Sequence, residues 1–126
     1  MIKKVVVDTS SFIEYFRYGK EEYIPALALS DSIIVSNIVR LELLKGTKRS
    51  DRKVLLKFLD GLIQLEELPP AKLCESLLLK LHSRGLSLGI ADLITLADTV
   101  RSKSLLLTSD RELEKAAKIA GVLLIS

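Results

Sequence analysis

Four acidic side chains stand apart from the rest of this sequence, and their surroundings suit the binding of a hard divalent cation. Asp8 closes the β-branched run Val5-Val6-Val7 and is followed at once by Thr9, Ser10 and Ser11. Asp110 closes "LLLTSD", again directly after two hydroxyls, Thr108 and Ser109. Glu42, in "SNIVRLELLKG", shares a helical face with Ile38 and lies beside Leu41, away from Arg40. Asp92, in "LSLGIADLITLA", has Leu88, Ala91, Leu93 and Leu96 as its close helical neighbours, and the nearest cation is Arg84, eight residues back. A carboxylate bordering an apolar face is costly unless something pairs with it, and burial without a partner raises its pKa. One shared Mg²⁺ or Mn²⁺ answers all four acids together, since such ions prefer oxygen ligands and cancel the mutual repulsion of the carboxylates. Thr9, Ser10, Thr108 and Ser109 are then the natural donors to orient those carboxylates.

Each acid also has a plainer explanation. Asp8 and Asp110 are good helix caps. Asp92 fits the first turn of a helix capped by Ser87, where the helix dipole favours negative charge. Asp98 lies six residues beyond Asp92, about 120° round a helix, and reads as a solvated acid near Arg101. The joint pattern favours a cation site, because two strand-end acids and two helix acids can converge above one edge of a parallel sheet.

Other chemistries are poorly provided for. The chain has one histidine, His82, and one cysteine, Cys74. Multi-histidine metal sites, paired-histidine acid–base catalysis and internal disulfides are therefore excluded. His82 lies between Lys80 and Arg84, at an expected helix surface, and Cys74 lies in "AKLCESLLLKL" as a small packed hydrophobe. The basic stretch "KGTKRSDRK" sets Lys45, Lys48, Arg49, Arg52 and Lys53 against Asp51 alone, three residues after Glu42. It is a candidate rim for phosphate contacts, with a solvated helix start or a protein-facing patch as alternatives.

The elements that must position these residues follow from the apolar pattern. The 126 residues are 48% hydrophobic and 28% charged, which suits one globular domain over 1–126 with an aliphatic core. Aromatics make up 5% with no Trp, so a recognition surface built on base stacking is not expected. A net charge of +3 permits a nucleic-acid partner without requiring one. Short apolar runs at 5–7, 32–36, 104–109 and 122–126 read as buried parallel strands. The alternating run 62–68 reads as an edge strand closed by Pro69-Pro70. Helical patterns fall between them, near 10–18, 20–30, 37–46, 50–60, 70–83, 88–102 and 110–120, with Gly46 and Gly121 as candidate C-terminal glycines. Alternating strands and helices imply a three-layer α/β/α fold around a parallel sheet. No apolar run approaches the ~20 residues of a membrane helix, and "MIKKVVVD" leaves no room for a signal peptide, so a cytoplasmic protein without membrane attachment is expected.

In this order, "VVVDTSSFIEYF", "SNIVRLELLKG", "LSLGIADLITLADTV" and "LLLTSDRELEKAAKIAGVLLI" resemble the PIN domain, and among its members the VapC-type toxins of toxin–antitoxin pairs. The acids are separated by 34, 50 and 18 residues, and the resemblance spans nearly the whole chain. It implies a five-stranded parallel sheet, an acidic quartet on Asp8, Glu42, Asp92 and Asp110, and Mg²⁺- or Mn²⁺-dependent endoribonuclease activity on RNA. It also implies a homodimer and a small antitoxin partner whose tail covers the site. One departure stands out: where relatives carry a run of small residues after the third acid, this chain has Ile94-Thr95-Leu96-Ala97 and then Asp98. Two other readings are a non-catalytic PIN-like RNA-binding or scaffolding protein, and a receiver-like phosphoacceptor. The latter needs an aspartate after the third strand, where "LIQLEELPP" offers only glutamates.

Overall fold

A computed structural model describes residues 3–20, 22–65 and 67–125. The chain runs β1 (Val5–Val7), α1 (Thr9–Tyr18), α2 (Tyr23–Leu29), β2 (Ile33–Ser36), α3 (Asn37–Gly46), a 3₁₀ turn (Arg49–Asp51) and α4 (Arg52–Asp60). It continues through β3 (Ile63–Leu65), α5 (Ala71–Ser83), α6 (Ile90–Arg101), β4 (Leu105–Leu107) and α7 (Arg111–Ile119). The strands pair in parallel in the order β3-β2-β1-β4. β1 and β2 are buried at every position, which suits strands covered on both faces.

The two faces of the sheet hold two cores. Val5, Val7, Ile33, Val35 and Leu107 pack with Phe12, Ile24, Val39, Leu43, Leu55 and Leu59, which come from α1 to α4. Val6, Ile34 and Leu106 point the other way, onto Leu77, Leu81, Leu93, Leu96, Leu113 and Ala116 of α5 to α7. This is the expected three-layer α/β/α arrangement. Burying each β1 valine contributes about 1.5–3 kcal/mol, and together they make β1 the centre of the sheet. Leu96, the bulky departure from the family pattern, is fully buried in the second core.

The sheet has four strands among the described residues, where five were expected. The segment after α7 makes an isolated parallel bridge, Leu106 with Leu124, instead of a fifth strand. Leu106 finds both its partners there, donating to Leu123 O and accepting from Ile125 N, both at 3.0 Å. Ser126, the last residue of the expected strand, lies outside the described residues, as do Glu21 and Glu66.

Gly121 serves as expected: at φ 77° it follows α7, and Val122 N then bonds back to Ala117 O. Gly46 does not, because it is the last residue of α3 and Thr47 after it is extended, so no left-handed residue is needed there. That role falls instead to Gly19 (φ 62°), which ends α1. β3 lies at the sheet edge, as its alternation implied, but covers only Ile63–Leu65. No helix among the described residues is long and apolar enough to cross a membrane.

Candidate active site

The strand order turns back on itself at β1, since the chain builds β2 and β3 on one side and then places β4 on the other. Such a switch point leaves a crevice beyond the carboxyl ends of the strands, where open α/β sheets bind ligands. Val7 pairs with Leu107, so Asp8 and the Thr108–Asp110 segment emerge side by side, and Asp8 N donates to Leu107 O at 2.9 Å.

Asp8 is 3% exposed. Its Oδ2 accepts from Ser10 Oγ at 2.8 Å and from Thr108 Oγ1 at 2.9 Å. Its Oδ1 is buried and has no hydrogen-bond partner among the described residues. Leaving a buried acceptor unmet costs roughly 1–3 kcal/mol, more for a charged group. The side chain does not cap α1, so the capping explanation fails for Asp8. It holds for Asp110, whose Oδ1 accepts from Glu112 N at 2.9 Å and Leu113 N at 3.2 Å. Asp110 is thus at once a helix cap and a carboxylate at the crevice.

The hydroxyls named from the sequence knit the two strand ends together. Ser10 Oγ accepts from Ser109 N at 3.0 Å and lies 3.2 Å from Thr108 Oγ1, which in turn accepts from Asp110 N at 3.0 Å. Thr9 Oγ1 donates to Glu42 Oε1 at 2.8 Å, tying α1 to α3. Ser11, named beside Asp8 but given no role from the sequence, is fully buried with its Oγ 3.3 Å from Ser109 Oγ.

Asp92 sits in the first turn of α6, and Gly89 rather than Ser87 occupies the N-cap position. Its pKa is pushed up to about 6, first by burial and then by the charges of Asp8, Asp110 and Glu42. Every other member of the quartet is therefore close enough for its field to be felt at Asp92. The four are not a closed cage: among the described residues, no three acidic, histidine or cysteine side chains are grouped to hold a metal as they stand. Even so, the donor set is all oxygen, and the partnerless Oδ1 of Asp8 together with the strain on Asp92 fits a hard cation.

Glu42 also lines a groove of about 870 Å³ between α1, α3 and α4, with Ile13, Phe16, Leu43, Lys48 and Phe58. Of the five basic residues singled out, only Lys48 lines it, while Lys45, Arg49, Arg52 and Lys53 are exposed outside it. Arg17, which the sequence reading missed, lines it from α1. Arg40 points elsewhere, as expected, pairing with Asp60 at 2.6 Å. His82 is exposed, and Cys74 is half-buried in the second core, its thiol pKa raised by burial and then by the charge of Asp98. A raised thiol pKa disfavours the nucleophilic thiolate.

Asp98 corrects the sequence reading. It is 2% exposed, not solvated, and its Oδ2 accepts from the buried Ser36 Oγ at 2.6 Å. Its Oδ1 meets Arg101, the expected partner, at 2.8 Å from Nε and 2.7 Å from Nη2. The i+3 arginine was visible in the sequence, but Ser36, 62 residues away, was not.

A doubly wound parallel α/β protein with carboxylates at its switch point is the class that this fold and site define. A PIN domain family model matches residues 5–119, and the chain belongs to the PIN domain family. Among solved structures it is similar to VapBC from Salmonella typhimurium bound to DNA, with 21% identity, 98% of each chain covered and a TM-score of 0.80. VapBC2 from Rickettsia felis, bound to a promoter DNA fragment, is 21% identical over 96% of each chain, with a TM-score of 0.74. FitAcB from Neisseria gonorrhoeae is 19% identical over 97% of this chain and 96% of that one, with a TM-score of 0.69. These identities bear on fold alone. No curated protein matches the chain.

Proposed function

We propose that this chain is a single-domain, divalent-cation-dependent endoribonuclease that hydrolyses RNA phosphodiester bonds. In this reading it works in the cytoplasm as the toxin of a VapBC-type pair, as a homodimer restrained by a small antitoxin protein. The observation that carries the reading is the buried Oδ1 of Asp8, without a partner among the described residues, together with Asp92, whose pKa is raised first by burial and then by the charges of Asp8, Asp110 and Glu42.

Asp8, Glu42, Asp92 and Asp110 would hold the Mg²⁺ or Mn²⁺. When bound, the cation supplies Lewis-acid activation of water and neutralises charge developing on the phosphate. The chain's own residues do the rest. Ser10 and Thr108 fix Oδ2 of Asp8 and leave Oδ1 without a partner among the described residues, and Thr9 holds Glu42. Asp92, at about 6, keeps a proton for part of the time near neutrality and yields it when positive charge arrives. Lys48 and Arg17, beside Glu42 in the groove, are placed to meet phosphates of the RNA backbone, with Lys45, Arg49, Arg52 and Lys53 as a basic margin.

The antitoxin reading is supported by the similarity to VapBC and FitAcB structures. It also suits the exposed apolar residues of the groove, Phe16 at 43% and Val54 at 74%, since exposed apolar patches mark interaction surfaces. The test is incubation of the purified chain with mixed RNAs and Mg²⁺ or Mn²⁺. Cleavage that disappears in EDTA and in Asp8→Asn is expected. RNA binding without cleavage, indifferent to Asp8→Asn, would establish a non-catalytic RNA-binding protein instead.

A further inference from the structure

Glu42 and Asp92 approach the crevice from opposite layers. Glu42 rides on α3, whose Val39 and Leu43 pack in the first core, and Asp92 rides on α6, whose Leu93 and Leu96 pack in the second. The two helices belong to different cores yet meet each other directly, so a buried polar bond at that meeting point bears on their spacing. We infer that Ser36 and Asp98 form a positioning tie between these layers, fixing the helices that carry Glu42 and Asp92 relative to one another. The inference rests on the quartet reading above.

The tie is built from buried groups. Ser36 is 0% exposed and Asp98 2%, and Ser36 Oγ donates to Asp98 Oδ2 at 2.6 Å. Ser36 stands at the N-cap position of α3, with φ −73° and ψ 143°. A serine there commonly turns its oxygen back to accept from the first-turn amides. This one makes no such cap bond and points its hydroxyl across to α6. The helix start forgoes its own cap in favour of the cross-layer bond.

Asp98 is held just as firmly on its other side. Arg101 grips Oδ1 through Nε and Nη2, and reaches on to the carbonyls of Glu67 and Leu68. The chain between β3 and α5 thus buttresses α6 where it meets Ser36. Along each helix the tie lies six residues from the acid it serves, Ser36 from Glu42 and Asp98 from Asp92. That is about 9 Å of axial rise. Thr9 pins α3 a second time, at Glu42 itself, at 2.8 Å. Ser36 thus fixes the start of α3 to α6, and Thr9 fixes its middle to α1. Metal sites demand ligand distances within about 0.2 Å, so slack of even 1 Å between the layers would be felt in affinity.

The test measures Mn²⁺ affinity of the full chain by calorimetry, below the melting temperature of every variant, beside a metal-free thermal melt. Ser36→Ala should bind Mn²⁺ roughly tenfold more weakly, at the lower end of what loss of a ligand-orienting partner costs. Ser36→Thr, which keeps the hydroxyl, should return to wild-type affinity. Ser36→Cys, near in shape but a weaker donor, should fall between, and it carries the test should Ser36→Ala fail to fold. Leu81→Ala, in the second core and apart from the tie, should lower the melting temperature without changing Mn²⁺ affinity. A folded Ser36→Ala or Ser36→Cys with wild-type affinity would overturn the inference, as would equal weakening in Leu81→Ala. A wild-type chain that binds no Mn²⁺ would bring down the quartet reading itself, and the tie with it.

Discussion

Replacing Asp92 by Asn removes a charge that the fold, without a cation, finds hard to bear. The carboxyl is pushed from its ordinary 3.8 up to about 6. That displacement corresponds to a ceiling of about 3 kcal/mol. Asp92 is only half-buried, so solvent screening reduces this to about 1 kcal/mol. The sign follows from the direction. With its folded pKa above its unfolded value, Asp92 contributes fully to stability below about pH 3.8, and that contribution is lost as pH rises through about 6. In EDTA, Asp92→Asn and the wild type should therefore melt together near pH 4. They should separate through pH 5 and 6, and at pH 7.5 the variant should be the more stable by about 1 kcal/mol, roughly 3–6 °C for a domain of this size. Added Mn²⁺ should reverse the order, stabilising the wild type by mass action and leaving the variant behind. The opposing force is the dipole of α6, which rewards a first-turn acid by about 0.3–1 kcal/mol. If the variant in EDTA at pH 7.5 melts below the wild type, the dipole outweighs burial and repulsion together. Asp92 would then be a structural first-turn acid, not a strained member of a cation site.

The remaining expectations separate roles that share a residue. Asp110 both caps α7 and faces the crevice, so Asp110→Asn, which caps equally well, should keep thermal stability and lose Mn²⁺-dependent cleavage. Asp110→Ala should lose cleavage and also about 1 kcal/mol, read by denaturant titration. Ser10→Ala removes the donor to Asp8 Oδ2 and the acceptor of Ser109 N, and should cost about 1–2 kcal/mol together with a 10–100-fold drop in Mn²⁺ affinity. Leu96→Ala empties a fully buried site in the second core and should cost about 2–5 kcal/mol in chemical denaturation.

The acids could be picked out from the sequence because their local surroundings could not satisfy them. Asp92 among leucines is anomalous at the level of one helix turn, and Asp8 and Asp110 are marked by the strands they end and the hydroxyls beside them. Asp98 shows the limit of that reasoning. Three residues from Arg101 it resembled any solvated helix pair, and nothing local revealed that Ser36 would meet it 62 residues away inside the protein. Of the basic stretch after Glu42, Lys48 lines the groove and Lys45, Arg49, Arg52 and Lys53 stand exposed outside it, an arrangement that proximity in sequence does not specify.

The amino-acid order alone determined the alternation of strands and helices and the parallel sheet, because periodicity and two-sided burial are written residue by residue. It also determined which carboxylates were out of place. Only the folded chain decided that the last apolar run makes one bridge in place of a fifth strand, that Asp8 is left with an unmet oxygen, and that Ser36 spends its hydroxyl on Asp98. Those outcomes depend on which distant groups the fold brings within hydrogen-bonding range, and that competition is resolved in three dimensions, where no neighbour in sequence takes part.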